Sequence, residues 1–210
     1  MFTLSKNLIE KLYRKEKLSA SKVAKKLKTT TWTVLGFMAR NNIPRRTFKE
    51  ANRICFENKP LTFSIKTNLS LREKELKMAG VFVYWAEGAK FKGMDGVPCT
   101  VDLANSDPRM VNLFLRFLRE ICRVDENKLG VQLYCYANQD IEFLRNYWYK
   151  VTKIPLKKFI KPYVREDFLP EKIGKMKYGL VHIRYTDKKL LMQIDAWIKE
   201  YCKKLEVNIG

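Results

Sequence analysis

The stretch Met78-Ala79-Gly80-Val81-Phe82-Val83-Tyr84-Trp85-Ala86 carries no charge and runs straight into Glu87 and Gly88. Leu71-Arg72-Glu73-Lys74-Glu75-Leu76-Lys77 lies before it and is good helix-forming material, so the spacing predicts one helix over residues 71–87. Gly88 then stands where a C′ glycine belongs. A strand competes for the apolar run alone, but the helical lead-in and the terminal glycine favour helix. The second half is apolar all round and predicts an enclosed helix. Ala79, Gly80, Val83 and Ala86 place small side chains along one stripe, which lets a second backbone approach closely. Glu87 falls on or beside that stripe, at the helix end where the macrodipole disfavours an anion. A carboxylate that breaks a local rule beside a buried surface is a candidate functional group. The plainer reading is a solvated side chain at a frayed end, the commoner situation for glutamate.

Charge narrows the partners. The 210-residue chain has 46% hydrophobic residues, enough for one or two ordinary globular domains, and a net charge of +20. That imbalance suits a polyanion, either nucleic acid or an anionic membrane surface. Residues 1–50 carry 13 basic and 3 acidic side chains, a net +10, whereas residues 101–150 carry 7 of each. The five cysteines at 55, 99, 122, 135 and 202 form no Cys-x-x-Cys pair, so neither a zinc site nor a disulfide framework is expected. No apolar run reaches the ~18 residues of a membrane span. The expectation is an intracellular, cytoplasmic and nucleoid-associated protein.

Serines and hydrophobic spacing divide residues 1–55 into three helices. Ser5 can cap a helix through Lys15 with Leu8, Ile9, Leu12 and Tyr13 on one face. Ser19 can cap Ala20 to Leu27, with Val23, Ala24 and Leu27 inward. Thr31 to Asn41 is the third, with Val34, Leu35 and Met38 apolar. Two short helices joined by a tight turn, the first carrying a small Ala24 at the crossing, resemble a helix-turn-helix. Lys28 takes the turn position that Gly commonly fills, which predicts a looser turn. The third helix would then offer Thr30, Thr31, Trp32, Thr33 and Arg40 to a major groove. Arg45 and Arg46 follow it and suit phosphate or minor-groove contacts. The bland alternative is a three-helix bundle with a solvated basic face. Residues 56–70 have weak periodicity and are expected to be a linker, with one strand possible at 61–65.

Residues 71–210 alternate between helix and strand patterns. After the 71–87 helix, residues 90–96 are turn-rich with at most a short strand, and residues 99–104 alternate as a strand. Pro108 starts a helix near N1. Residues 131–137 form the clearest strand: Val131, Leu133, Cys135 and Ala137 face one side, and Gln132, Tyr134, Tyr136 and Asn138 the other. That second face mixes aromatics with amides able to pair with adenine edges. An ordinary solvent face is the alternative, since Tyr is a good strand former. Asp140 caps a helix ending before Pro155. A basic strand containing Lys161 follows, then an alternating strand at 178–185 containing Arg184, and a last helix from Lys188 to about Leu205. The class is α+β, with helices on one face of a mostly antiparallel sheet.

This order, with a helix ending in Ala86-Glu87-Gly88, resembles the LAGLIDADG homing-endonuclease fold, an αββαββα arrangement here with an extra helix. Tyr84-Trp85-Ala86-Glu87-Gly88-Ala89-Lys90 and Asn105-Ser106-Asp107-Pro108 are similar to small LAGLIDADG-like proteins with an N-terminal helix-turn-helix. The resemblance covers roughly residues 1–55 and 71–205. It implies that the motif helices of two copies pack through Ala79, Gly80, Val83 and Ala86, giving a homodimer. It also implies that Glu87 binds a divalent ion, Mg²⁺ or in its place Mn²⁺, and acts catalytically. Trp85 stands where the family has an earlier Asp, and Ala79 and Gly80 lie two positions further from the helix end than the family spacing. Lys188 and Lys189 match approximately where the family carries a catalytic lysine; Lys90 and Arg109 are weaker candidates for charge stabilisation or DNA contact.

Three functions follow. The first is site-specific binding of double-stranded DNA with Mg²⁺-dependent phosphodiester hydrolysis. The second is a non-cleaving transcription regulator on the same fold. The third, RNA binding or attachment to an anionic membrane surface, is disfavoured by the helix-turn-helix pattern and by the lack of an amphipathic membrane helix.

Overall fold

The structure, a computed structural model, describes residues 4–91, 99–166 and 176–206. The chain divides into two compact units, Met1–Pro60 and Leu61–Gly210.

In the first unit, α1 (Lys6–Glu10) passes into a π turn over Lys11–Lys15, and α2 (Ala20–Lys26) and α3 (Thr31–Arg40) follow. Ser5, Ser19 and Thr30 cap the three helices by accepting from the amides of Leu8, Lys22 and Thr33. Ile9, Leu12, Tyr13, Val23, Ala24, Leu27, Val34, Met38 and Ile43 close one core. The connection after α2 is tight. Lys28 adopts φ 52°. With that, the Lys28 amide reaches Lys25 O at 3.3 Å and the Thr29 amide reaches Ala24 O at 2.9 Å. These are the two bonds of a Schellman ending, which a left-handed residue makes possible and Gly usually supplies. Lysine accepts the strain and the turn is not loosened.

A fourth helix, α4 (Phe48–Asn58), corrects the expected linker at 56–70. Thr47 and Glu50 form a capping box that starts the helix; none of its residues is buried, though Ile54 and Phe56 are half-buried. Residues 61–70 are no linker either. The amides of Ser64 and Lys66 donate to Cys122 O and Ile121 O, and Phe63 is buried in the second unit's core. Residues 61–65 are not a strand.

In the second unit, α5 (Leu71–Glu87) precedes β1 (Val101–Asn105), α6 (Pro108–Arg116), β2 (Leu129–Tyr136), α7 (Ile141–Thr152), β3 (Phe159–Arg165), β4 (Leu180–Tyr185) and α8 (Lys188–Lys204). The class is α+β, as expected. The expected passage at 90–96 lies, from residue 92 on, outside the described residues; Gly88 makes a single bridge to Leu103. The sheet order is β1-β4-β2-β3. β4 runs antiparallel to both β1 and β2, but β2 and β3 pair in parallel, so the sheet is mixed. The helix α7 explains this: a crossover helix returns the chain to the starting end of the sheet, so the next strand runs the same way.

Burial follows the pleat. Val101, Leu103, Leu129, Val131, Leu133, Cys135, Val181, Ile183 and Tyr185 are buried and share one core with residues of α5–α8. Their alternating neighbours are half-exposed. One face of the sheet is therefore covered by helices and the other is open. Among the described residues no helix is long and apolar enough to cross a membrane.

Candidate functional site

The end of α5 is held from beneath. A capping box of Ser70 and Glu73 starts the helix, and Leu76, Gly80, Val81 and Tyr84 face the core. Gly80 therefore does not belong to a stripe turned toward a second copy. It is buried, and a Cβ built on it would lie 2.3 Å from Phe117 Cγ, so its missing side chain makes room for a ring of the same chain. Ala79 and Val83 are half-buried, Ala86 is exposed, and Met78 and Trp85 are 44% and 39% exposed. The helix expected to be enclosed thus keeps an apolar side uncovered in the single chain.

Gly88 is not a left-handed C′ residue. It has φ −84° and ψ 160°, an extended conformation. Close approach explains the glycine, since a Cβ would meet the Tyr84 ring at 2.4 Å. The buried Tyr84 hydroxyl donates to Ala89 O at 2.6 Å, and burial raises its pKa. Glu87 is exposed on this clamped turn. The Lys90 ammonium donates to the Trp85 carbonyl, placing a cation at the negative end of the helix dipole. That bond answers the awkwardness of an anion at Glu87.

The donor set for a metal is thin. Mg²⁺ prefers an octahedral shell of oxygens. Glu87 supplies one carboxylate, and the described residues contain no group of three or more His, Cys, Asp or Glu placed to hold an ion. Asp102 lies on the paired strand, and its backbone carbonyl accepts from the Ala89 amide, but its carboxylate is engaged with His182 and Arg184. Among the described residues, one chain alone does not supply the donors such an ion needs. Lys188 and Lys189 form the first turn of α8, half-buried, where Asp187 caps the helix by accepting from the Lys189 and Leu190 amides.

The open face gathers most of the residues expected there. Gln132, Tyr134 and Tyr136 alternate outward along β2, and His182 and Arg184 do so along β4. Tyr163 pairs with Tyr134 across β2 and β3, and Arg165 with Tyr136, its guanidinium 5.8 Å from the Tyr136 ring centre. Lys161 is exposed on the edge strand β3. Asn138 is not on this face: β2 ends at Tyr136, and Asn138 lies in the turn before α7. His182, Asp102, Tyr163 and Arg165 join the face without having been singled out from the sequence. The outward phase of Leu180, His182 and Arg184 could have found His182; the other pairings depend on register between distant strands.

In the first unit, Trp32 is 84% exposed at the start of α3. Thr31 and Arg40 are exposed, and Thr30 and Thr33 are bound to each other at 2.8 Å as part of the cap. Arg45 is exposed, but Arg46 is tied inward. Its guanidinium lies 4.1 Å from the Tyr13 ring centre, NH1 donates to Lys17 O at 3.3 Å, NH2 donates to Tyr13 O, and its amide donates to Tyr13 Oη. Arg46 fastens the segment after α3 rather than reaching outward. Arg109 is exposed and engaged by Asp107 at 2.8 Å, which lowers the Asp107 pKa.

Comparison with protein-family models, curated proteins and solved structures returns no match.

Proposed function

We propose that this chain binds specific duplex DNA as a homodimer. The observation that carries the reading is the open sheet face: a surface of Tyr, Gln, Arg, Lys and His from β2, β3 and β4, with Asp102 of β1 beside them, on a chain of net charge +20. In this reading α2 and α3 form a helix-turn-helix. The 84% exposed Trp32 then stands at the groove-facing start of its second helix. The second unit is taken as a LAGLIDADG-like arrangement in which two copies meet along the uncovered side of α5, through Met78, Ala79, Val83, Trp85 and Ala86.

Selection from a randomised duplex pool tests this. A consensus site is expected, with binding that weakens steeply as salt rises. Trp32→Ala is expected to cost about tenfold in affinity, the scale of one lost base contact. Recovery of no sequence preference, or a monomer on DNA by light scattering, overturns the specific-binding or the dimer half respectively.

Mg²⁺-dependent cleavage is the second reading, favoured by the exposure of Glu87 beside that same side of α5. In this reading a second copy contributes its own Glu87, since the described residues of one chain hold no group of three or more metal-binding side chains. Incubating the selected duplex with Mg²⁺ or Mn²⁺ decides it: cutting lost in Glu87→Gln with binding kept supports a nuclease, and an intact duplex leaves a non-cleaving regulator.

A further inference from the structure

The centre of the open face holds the chain's single histidine. His182 Nδ1 lies 2.8 Å from Asp102 Oδ1. The other oxygen of Asp102 is 3.1 Å from Arg184 Nε. That nitrogen is buried and lacks the direction of a hydrogen bond, while Arg184 NH1 donates to Gln132 Oε1 at 3.3 Å. The Tyr134 ring centre is 4.4 Å from the imidazole, tilted by 31°, and the Tyr163 ring is 4.9 Å from Tyr134, tilted by 33°. The three rings make a close, tilted row across β4, β2 and β3, and the imidazole is the member of it able to carry charge to a phosphate oxygen. With Nδ1 held as the N–H toward a carboxylate, Nε2 is the ring atom able to meet an outside group.

Charge bookkeeping singles out His182 within this cluster. The groups facing it are Asp102 from β1, Arg184 from its own strand, and Gln132 and Tyr134 from β2, with Tyr163 of β3 behind Tyr134. Asp102 and Arg184 cancel, so the local net charge is set by the imidazole. Neutral, Nε2 turns a lone pair toward an approaching phosphate. After taking a proton from solvent it donates an N–H instead and adds one positive charge, and Asp102 supports the imidazolium from behind.

We propose that Asp102, His182 and Arg184 form a phosphate-backbone anchor on the open face, and that protonation of His182 tightens it. This rests on the duplex-DNA reading of the same face. Binding of a labelled mixed-sequence duplex, titrated across salt at about pH 8 and about pH 6, tests it, since imidazole changes charge in that interval. The wild-type chain is expected to gain roughly five- to tenfold in affinity on acidification, with a salt slope steeper by about one ion. His182→Gln, which keeps a hydrogen-bonding side chain without the charge change, is expected to lose that gain while retaining its thermal midpoint. Equal pH dependence in wild type and His182→Gln overturns the anchor, and so does a His182-dependent gain with an unchanged salt slope. Absence of duplex binding at either pH instead removes the DNA reading itself, and the anchor with it.

Discussion

Gly80 and Phe117 meet backbone to ring: a methyl group added at Gly80 would lie 2.3 Å from Phe117 Cγ and 2.4 Å from its Cβ. Phe117 is fully buried and opens the π turn Phe117–Ile121 that continues α6. Neither the ring nor the α5 backbone has room to yield without moving the helix pair. Gly80→Ala is therefore expected to destabilise the chain by about 1–3 kcal/mol, an overpacking cost that outweighs Ala's better helix propensity of about 1 kcal/mol. Chemical denaturation measures it. A variant of unchanged stability that dissociates a dimer would instead return Gly80 to the contact between copies.

Two positions in the first unit exchange the usual roles of glycine and side chain. Gly36 lies inside α3 with φ outside the left-handed region and nothing within 4 Å of an added Cβ. Gly36→Ala is expected to stabilise the unit by about 1 kcal/mol. Lys28, at φ 52°, sits in the left-handed region. There Gly relieves about 1–2 kcal/mol of strain but adds about 0.5–1 kcal/mol of chain entropy in the unfolded state. Lys28→Gly should thus be neutral to about 1 kcal/mol stabilising, and Lys28→Val clearly destabilising. Thermal unfolding of the three variants side by side checks the order.

Strong acid should weaken the start of α5. The Lys66 ammonium, and then the Ser70 amide, hold the Glu73 carboxylate at a pKa of about 2, below its ordinary value of 4.5. A depressed carboxylate contributes stability that is present above its unfolded pKa and is lost as pH falls through the folded one. The contribution should therefore fade between about pH 4.5 and 2. Glu73→Gln should flatten the stability–pH curve over that window and leave it unaltered at neutral pH apart from a constant offset. A curve parallel to wild type in that interval would show that Glu73 is not the titrating group.

The local chemistry of α5 was legible and its surroundings were not. Ser70-x-x-Glu73 and the apolar run fix its bounds at Leu71–Glu87, as the spacing predicts. Gly88 looks like a left-handed C′ residue in the sequence because a glycine after a helix looks the same whether it supplies a positive φ or an approach distance to Tyr84. The helix at Phe48–Asn58 buries no residue fully and has a low mean apolar content, so its plainest sign in the sequence is the capping pair Thr47-x-x-Glu50. Strand alternation gave the open face along β2. It could not give the parallel neighbour β3, which depends on where α7 returns the chain. The His182–Asp102 pair needs a register between residues 80 positions apart, with Asp102 opposite Arg184.

Lys28 is one of several basic residues that end helices in the left-handed conformation. Lys17, Arg123 and Lys153 do the same, with φ of 54°, 44° and 58°, each at or just past the last turn. Each sets a basic residue at the helix end that carries the negative pole of the dipole. Part of the positive charge is thus set where the fold's own dipoles favour it, whether or not a partner is present. The counterions that leave a polyanion on binding should accordingly follow the number of phosphates the chain touches rather than its net +20.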